Sequence, residues 1–388
     1  MNIIIFNRTI GGHHLEYIHH IYMAAISHRN DTFYFVLPKH YDSVKDNWDW
    51  PYSPNIHIEL FGKEDDKYVS ESIWQILHNS WTNSKLVRYY VKKYRADVVY
   101  CNSIIGLVPF APLFLSRKVR LMGVIYRIYL YDSQEKSRVS LLSDKIKYVI
   151  MSKAKVFQTI FILNDHAGAG RLNEIYHTQK FVSLPDPYVP IPTEQLTDFR
   201  KEYGIPADKK LLVQFGTLCK NKSTVEILEA VKLLGKEEKK LFAFAFAGKV
   251  YDEIKERFYE LVKELQVEVQ IIVIDQYCTY ETFASMCTAC DAILTPYRRT
   301  AQSSGLIGYA SQFHKPVIAP NRGLLGSLVE SFGLGELIKD NTPKCLVEAF
   351  RKVARGEVII PDSSYCEMNS VEEFQRVCFE NLINETNN

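Results

Sequence analysis

Four histidines lie close together near the start of the chain, after a short apolar segment and two glycines. The histidines are His13, His14, His19 and His20. No two of them are four residues apart on one helix face, so no metal site is predicted. We expect Gly12, with His13 or His14, to contact a ligand at a helix start, where backbone amides can bind a phosphate or a sugar oxygen. His19 and His20 would pack or face solvent.

A second group of polar side chains follows the apolar segment 211–215. It begins with Gly216 and Thr217 and includes Lys220 and Lys222 ahead of a predicted helix. A lysine beside a helix N-terminus suits a diphosphate, because both are positive. The segment lacks the spacing of a P-loop. A lysine before a helix is otherwise usually exposed to solvent, so its position at the end of a strand is what favours binding.

A third group follows the apolar segment 292–295. Two arginines, two serines and a glycine precede another predicted helix, and they are Arg298, Arg299, Ser303, Ser304 and Gly305. Guanidinium and hydroxyl donors beside a helix start form a second anion-binding arrangement at the same edge of the sheet. The alternative for the serines is that they only cap the helix. The loop 320–326 would line the same crevice.

Short apolar segments alternate with helical patterns along the chain, which is typical of parallel βαβ construction. In the first half the predicted strands are 2–6, 32–37, 56–60, 97–101, 119–126 and 156–163, with long amphipathic segments at 69–94 and 133–155. In the second half they are 211–215, 241–247, 270–274, 292–295 and 316–319. We therefore predict an α/β fold of two doubly wound, Rossmann-like domains that face each other across a cleft, with ligands at the carboxyl ends of the strands.

The segment 183–192 is the predicted hinge. It contains four prolines within eight residues, which excludes helix and the interior of a sheet. A length of 388 residues also fits two domains better than one. We predict one domain at 1–185, a second at 186–366 and a C-terminal segment at 367–388, with one more helix over 370–385.

The composition is that of a folded protein. Hydrophobic residues make up 47% of the chain and charged residues 24%, which excludes a disordered or fibrous chain. No apolar run approaches the roughly 18 residues that span a membrane, and the first residues lack the basic region of a signal peptide. We expect a cytoplasmic protein with no nucleic-acid partner.

The eight cysteines predict neither a metal site nor disulfides. Their only close pair is Cys287 and Cys290, and a zinc site would need a second pair or nearby histidines. Buried free thiols in a reducing compartment are expected. No metal or cofactor is expected.

The net charge of +2 hides an uneven distribution. Residues 1–190 contain 23 Lys and Arg against 17 Asp and Glu, and the remainder contains 24 against 28. Most of the basic excess lies in 117–155, where ten basic and three acidic residues are interleaved with apolar ones. We expect this stretch to rest on an anionic membrane surface or to face an anionic substrate. The alternative is a solvated helix face.

The second half, from about 211 to 336, resembles the nucleotide-sugar domain of GT-B glycosyltransferases, in particular the retaining group known as family 4. In that family the first strand ends in Gly-Arg-Leu and a Lys-Gly pair follows, and the arginine and lysine bind the donor diphosphate. Here the corresponding residues are Gly216, Thr217 and then Lys222 with Ser223. The lysine matches, whereas Thr217 replaces the arginine.

A second family motif is only partly present. Two family glutamates, with seven residues between them, align with Ala301 and Tyr309, so both carboxylates are absent. In the first half the glycines before His13 resemble the acceptor-side loop of these enzymes. Asp186 stands where the family usually has Pro-Asn-Gly, and Tyr126 follows a strand after which many members have a histidine. The sequence therefore resembles a divergent subgroup.

The resemblance implies a metal-independent glycosyltransferase that moves a sugar from a nucleotide diphosphate sugar to a glycan or lipid-linked saccharide. The residues that would bind the donor are Gly12, Gly216, Thr217, Lys222, Arg298, Arg299, Ser303, Ser304 and Gly305. The lysine, an arginine and helix N-termini would stabilise the departing diphosphate. Candidate bases for the acceptor are His13, His14 and Asp132. The first domain would bind the acceptor and the second the donor, and the last helix would cross back to the first domain.

Two alternatives remain open on the sequence. A sugar-nucleotide epimerase of the same fold would use the same diphosphate loops, although it needs acid and base carboxylates near the sugar. A noncatalytic binding protein that kept the fold is the other, and Ala301 and Tyr309 favour it.

Overall fold

The chain forms two compact units in the computed structural model, which describes residues 1–11, 13–62, 72–131, 137–194 and 196–383, without the side chains of His13 and Asn47. Unit 1 comprises Met1–Pro187 and Ser370–Asn388, and unit 2 comprises Tyr188–Asn369. The chain therefore passes from one unit to the other twice. None of the helices within the described ranges is both long and apolar enough to cross a bilayer.

Each unit is built on one parallel sheet. The seven strands of unit 1 are β1 Asn2–Phe6, β2 Thr32–Pro38, β3 Ile56–Phe61, β4 Val98–Cys101, β5 Arg120–Ile125, β6 Phe157–Leu163 and β7 Phe181–Leu184. The six of unit 2 are β8 Lys210–Phe215, β9 Phe242–Ala247, β10 Gln270–Ile274, β11 Ala292–Leu294, β12 Val317–Pro320 and β13 Gly335–Ile338. All neighbouring strands run parallel. The predicted α/β fold and its eleven predicted strands are confirmed.

Helices connect the strands in both units. They are α1 His13–Ala25, α2 Ile73–Tyr94, α3 Ala111–Phe114, α4 Arg138–Lys153, α5 His166–Tyr176, α6 Phe199–Glu202, α7 Thr224–Leu233, α8 Lys236–Lys240, α9 Asp252–Leu265, α10 Tyr280–Ala289, α11 Leu306–Gln312, α12 Gly323–Ser331, α13 Pro343–Arg355, α14 Ser364–Met368 and α15 Val371–Ile383. Capping fixes several of these starts. For example, Ser72 and Gln75 form a capping box at the start of α2.

Two strands, β7 and β13, were not predicted. Both lie at a sheet edge, are four residues long and leave their two central residues half-buried, so they lack a continuous apolar run. The predicted hinge also began too early, because Ser183 and Leu184 pair with β6. The strand ends only where the prolines begin.

Alternate side chains of the unit 1 strands build two cores, one on each face of the sheet. Ile3 and Ile5 of β1 pack on the face that α1 covers, whereas Ile4 and Phe6 pack on the opposite face with α2 and α4. This two-sided burial explains why the parallel strands are apolar along their whole length. In unit 2, β9 is buried at all six positions for the same reason.

Helix α15 belongs to unit 1, although it follows unit 2 in the sequence. Its buried side chains are Phe374, Cys378, Phe379 and Leu382, three or four residues apart or adjacent, and they join the core that contains Ile3 and Ile5. Arg120 also donates a hydrogen bond from Nη2 to the Leu382 carbonyl oxygen at 3.0 Å. The last helix thus completes one face of the first sheet.

The strand orders place a topological switch point in each sheet. The order is β3-β2-β1-β4-β5-β6-β7 in unit 1 and β10-β9-β8-β11-β12-β13 in unit 2. The direction of winding reverses between β1 and β4 in the first sheet, and between β8 and β11 in the second. Helices leave opposite faces of the sheet at such a point, so a crevice opens at the carboxyl ends of these two strands.

Replacement of Phe374 by alanine tests the role of α15. We expect Phe374→Ala to lower the free energy of unfolding of unit 1 by about 3–5 kcal/mol, because a large buried ring is removed from a packed core. Glu372→Ala on the exposed side of the same helix is the control and should change it by less than about 0.5 kcal/mol. Chemical denaturation measures both, and equal shifts would contradict the assignment.

Candidate functional site

The loop after β8 lies at the switch point of unit 2. Gly216 has a φ of 76°, and a Cβ at this residue would lie 2.6 Å from Nζ of Lys222. Gly248, at the end of the neighbouring strand, has a φ of 146°, and a Cβ there would lie 1.9 Å from the Gly216 carbonyl oxygen. Glycines at both positions are therefore needed for the two loops to approach each other and for the lysine to reach the strand end. Thr217 is half-buried beside them.

Lys222 points its amine back at the end of β8. Nζ donates a hydrogen bond to the Phe215 carbonyl oxygen at 2.7 Å and lies 5.5 Å from the centre of the Tyr297 ring. Burial lowers the pKa of the Lys222 amine below its usual value. The amine has lost part of its hydration in this position, so an anion that contacts it would stabilise its positive charge. Phosphate groups are anions of this kind.

Asn221 joins the loop after β8 to the loop after β11. Its carbonyl oxygen accepts a hydrogen bond from the backbone N–H of Arg298 at 2.7 Å, and its side-chain Oδ1 accepts one from the N–H of Arg299 at 3.1 Å. The predicted second and third groups therefore meet at one place. Both arginine side chains are exposed there.

The two arginines differ in their partners. The guanidinium of Arg298 forms an ion pair with Glu226 in the first turn of α7, so part of its charge is already neutralised. Arg299 forms no ion pair with any described residue. Of the two predicted cations, Arg299 is thus the one whose charge is available to a ligand.

The predicted serines and glycine lie directly before α11. Gly305 is the N-cap residue of this helix, and the Ser304 carbonyl oxygen accepts a hydrogen bond from the Ile307 N–H at 3.1 Å. Burial raises the pKa of the Tyr297 hydroxyl, and a hydrogen bond with Ser304 opposes that shift. Gly305 has an ordinary helical φ of −55° and open space where a Cβ would stand, so its backbone does not require glycine.

Three further residues of this region were not predicted as site residues. Tyr297 stands under the Lys222 amine, Asn341 donates a hydrogen bond to Ser223 Oγ at 3.0 Å, and Arg322 donates to the Arg298 carbonyl oxygen at 3.3 Å. Arg322 lies in the loop after β12 that was expected to line the crevice. Asn341 follows β13, a strand that was itself missed, so no signal in the sequence pointed to it.

In unit 1, His14 lies at the carboxyl ends of β1, β4 and β5. Its Nδ1 is 3.1 Å from Nδ2 of Asn102 and 3.3 Å from the Tyr126 hydroxyl oxygen. Nδ2 of Asn102 also donates to the His14 carbonyl oxygen at 3.3 Å, which fixes the orientation of the amide. Because an amide nitrogen can only donate, Nδ1 of His14 accepts and the proton of the neutral ring is on Nε2.

A buried tyrosine pair lies next to His14. The Tyr17 hydroxyl donates a hydrogen bond to Oδ1 of Asp186 at 2.5 Å, and the Tyr17 and Tyr126 rings stack with centres 6.0 Å apart. Burial, followed by the charge of Asp186, raises the pKa of both hydroxyls. Tyr17 is separated from Asp186 by 169 positions, so a local pattern could not predict this contact.

The other predicted residues of unit 1 divide into two groups. His19 packs on Trp48 and Trp50, and His20 on Phe374, so these two histidines pack in the fold as expected. Gly12, the His13 side chain and Asp132 lie outside the described residues.

No cluster of three or more His, Cys, Asp or Glu side chains in the described ranges could hold a metal ion. All eight cysteines are free thiols, of which Cys101, Cys287, Cys290 and Cys378 are buried and the other four are half-buried. The donors at both switch points are hydroxyl, amide, amine and guanidinium groups. Such groups bind oxyanions and sugar hydroxyls.

A match to a protein family and the similarity to several solved structures bear on this fold and this site. Residues 196–369, which lie within unit 2, match the family model described as "Glycosyl transferases group 1". Among curated proteins, none matches the sequence significantly.

Several solved structures are similar to the chain over almost its full length. WaaG, a glycosyltransferase involved in lipopolysaccharide biosynthesis, has a TM-score of 0.63 at 14% identity, covering 99% of this chain and 100% of that one. Anabaena Alr3699/HepE in complex with UDP has a TM-score of 0.66 at 14% identity, covering 98% and 99%. UDP-GlcNAc 2-epimerase from Neisseria meningitidis has a TM-score of 0.61 at 12% identity, covering 99% and 100%.

At such low identity this similarity shows the fold, and the chain has the GT-B fold. The two parallel sheets of seven and six strands, each flanked by helices, are the architecture shared with these structures. Within unit 2, residues 196–369 match the model of the group 1 glycosyl transferases. The switch point with Lys222 and Arg299 therefore lies within the stretch that matches this family.

Replacement of Gly216 tests whether its missing side chain makes room for the lysine. Gly216→Ala and Gly204→Ala both place a side chain at a positive φ, of 76° and 61°, and each should lower the free energy of unfolding by about 1–2 kcal/mol. Only at Gly216 would the new Cβ meet Lys222, whereas nothing lies within 4 Å at Gly204. We expect Gly216→Ala alone to weaken binding of inorganic diphosphate, measured by calorimetry. Equal affinities of the two variants would contradict this.

Proposed function

We propose that this protein is a glycosyltransferase that moves a sugar from a nucleotide diphosphate sugar to a glycan or lipid-linked saccharide. One observation carries the proposal: Lys222 is half-buried at the switch point of unit 2, with its amine turned back on the end of β8, inside the domain that matches glycosyltransferases. A cation that has lost part of its water is stabilised by an anionic partner, and a diphosphate is the partner that this family of enzymes would provide.

The similar structures support a nucleotide sugar as donor. Anabaena Alr3699/HepE has been solved with UDP and with UDP-glucose. We propose that unit 2 binds the donor through Gly216, Thr217, Lys222, Arg299 and the serines before α11. UDP is accordingly the first probe to use, although other bases and sugars fit the same anion site.

The chemical step that we propose depends on stabilising the leaving group. As the bond between the sugar and the diphosphate breaks, negative charge builds up on the diphosphate. Lys222 would neutralise this charge from the end of β8, and Arg299 from the end of β11. Two cations of this kind would replace a metal ion, and we propose a metal-independent reaction.

We propose a retaining outcome, with attack by the acceptor on the face from which the diphosphate leaves. This rests on the resemblance to family 4, from which the chain departs at the positions of both family glutamates, among others. Ala301 is buried, and Tyr309 packs between Tyr188 and Phe283. Neither position offers a carboxylate, so aromatic packing occupies the place of the second family glutamate.

Unit 1 would bind the acceptor at its own switch point. We propose that His14 orients an acceptor oxygen rather than removes a proton from it, because its Nδ1 already accepts hydrogen bonds from Asn102 and Tyr126. His13 and Asp132 remain proposed as alternative bases. Asn102 and Tyr126 would hold the His14 ring in place.

We further propose that unit 1 rests on an anionic membrane surface through α4, at the cytoplasmic side. Four aliphatic side chains on one face of this helix, Val139, Leu142, Ile146 and Val149, are between 46% and 71% exposed. Exposed lysines and arginines accompany them, including Arg138, Lys145 and Lys153. An apolar stripe beside basic residues is typical of helices that lie in the interface of anionic bilayers.

Replacement of Lys222 tests the donor site. We expect Lys222→Met to weaken UDP binding roughly ten- to a hundredfold, the range of a charge-assisted hydrogen bond. Lys220→Met, in the same loop but exposed, is the matched control and should bind like the wild type. Because burial lowers the pKa of Lys222 below the usual 10.5, wild-type affinity should fall as pH rises through that lowered pKa. Calorimetry over a pH series measures the affinities of both variants and the pH dependence of the wild type. Equal affinity of the two variants would contradict the proposed donor site.

Product analysis separates the proposal from its alternatives. With UDP-sugar alone, an epimerase would convert the donor sugar, as the similar Neisseria enzyme's name describes. A noncatalytic protein would bind UDP without transfer or donor hydrolysis across a donor panel. Transfer to an added saccharide or lipid-linked acceptor supports a glycosyltransferase.

A double replacement in α4 tests the membrane face. We expect Leu142→Glu/Ile146→Glu to reduce binding to phosphatidylglycerol vesicles roughly tenfold or more, because two apolar contacts are lost and two negative charges are added. Leu233→Glu/Ile360→Glu changes two similarly exposed residues of unit 2 and should leave binding unchanged. Cosedimentation at two salt concentrations measures vesicle binding. Binding that is insensitive to salt or to the α4 replacements would argue against the proposal.

A further inference from the structure

A cavity of about 270 Å³ lies in unit 1 at the carboxyl ends of β1 and β4. Phe6 and Asn7 from the end of β1, and Cys101 and Ser103 from the end of β4, form its floor, and α2 and α4 contribute to its walls. It lies at the switch point of the first sheet, on the side where α2 and α4 pack. Ligands of doubly wound sheets bind at such points.

The charged side chains of this cavity are positive. Arg8 and Lys147 line it, together with the neutral polar residues Asn7, Thr9 and Ser103, and no described lining residue is acidic. Lys147 lies 3.4 Å from Asp144 of its own helix, and the guanidinium of Arg8 lies 5.4 Å from the centre of the Phe61 ring. Two cations around a small cavity favour an anionic ligand.

Asn7 gives an independent sign that something binds here. It is only 1% exposed, and its Nδ2 has no hydrogen-bond partner among the described residues. A buried amide without a partner destabilises the folded protein, so such groups are rare unless a ligand or water satisfies them. An oxygen-rich ligand in the cavity that Asn7 lines would supply the missing acceptor.

Apart from Asn83 of α2, the remaining walls are apolar. Ile76 of α2 and the pair Ile105 and Leu107 after β4 cover them. The ligand should therefore combine an anionic group with an apolar or weakly polar part. Lys147 is also the neighbour of Ile146 in the exposed stripe of α4, so the cavity and the proposed membrane face share one helix.

We propose that this cavity binds a phosphate ester of the acceptor between Arg8 and Lys147. The inference rests on the proposed function, because it identifies the acceptor of the same enzyme as a phosphorylated molecule. Two sources of this group fit the chemistry, the phosphate of a lipid-linked acceptor and that of a soluble sugar phosphate. The position of Lys147 beside the stripe favours the lipid.

A charge-matched pair of double variants tests the cavity. Arg8→Gln/Lys147→Gln removes both cations of the cavity, whereas Arg29→Gln/Lys39→Gln removes two exposed cations of unit 1 outside both the cavity and α4. Binding is measured to glucose 1-phosphate by calorimetry, and to phosphatidylcholine vesicles with and without phosphatidic acid by cosedimentation. We expect the cavity variant to lose at least roughly tenfold in affinity for one phosphate probe, and the control to lose less than about threefold.

The arms of the experiment separate the two sources. Loss confined to the phosphatidic acid vesicles identifies a lipid phosphate, and loss of glucose 1-phosphate binding identifies a soluble one. Equal losses by the two double variants, or no loss by the cavity variant, would overturn the proposal. Lys147→Gln alone, with its unfolding curve, serves as the milder variant if the double change disturbs folding.

UDP binding keeps this test separate from that of the enzyme. The cavity variant should bind UDP like the wild type, because Lys222 is unchanged. If Lys222→Met binds UDP normally while the cavity variant loses phosphate, the donor site fails and the cavity stands. If Lys222→Met loses UDP binding while the cavity variant binds phosphate normally, the cavity proposal is wrong and the donor site is supported.

Discussion

The parallel direction of every strand is the constraint on which the rest of this structure depends. Parallel neighbours need a crossover between them, and each crossover begins at the same edge of the sheet. All the loops that leave strands therefore collect along one edge in each unit, and reversal of strand order leaves space there. Within unit 1, this rule brings His14 close to Asn102. Within unit 2, it brings the loop of Lys222 into contact with the loop of Arg299.

Two features of unit 2 determine the position of Lys222. Gly216 and Gly248 adopt positive φ angles so that the chain can turn tightly at the ends of β8 and β9. The amine is held against the Phe215 carbonyl oxygen and above Tyr297, where burial disfavours its charge. The glycines adopt these angles without strain, whereas the burial that disfavours the charge of the amine is typical of sites shaped for a ligand.

The sequence allowed the sheets, most strand bounds and the two cation groups of unit 2 to be predicted, because each is a local pattern. Strands such as β9 are continuous apolar runs, and Lys222 lies in the loop that follows another such strand, β8. Contacts between distant segments had no such pattern. The hydrogen bond of Tyr17 with Asp186, the ion pair of Arg298 with Glu226 and the place of Asn341 all depend on which strands become neighbours. The edge strands β7 and β13 were missed because half-buried residues weaken the apolar signal.

The connection between the units has a consequence for the order of folding. Residues 188–369 form one continuous stretch, and a hydrogen bond of 2.7 Å from the Tyr188 N–H to the Asn369 carbonyl oxygen ties its two ends together. Unit 2 is thus inserted into unit 1 and can fold as soon as it has been synthesised. Unit 1 has to wait for α15, because Phe374, Cys378 and Leu382 complete its core. Until then the part of this face that α15 will cover is exposed, and the nascent chain has an apolar surface for chaperones to bind.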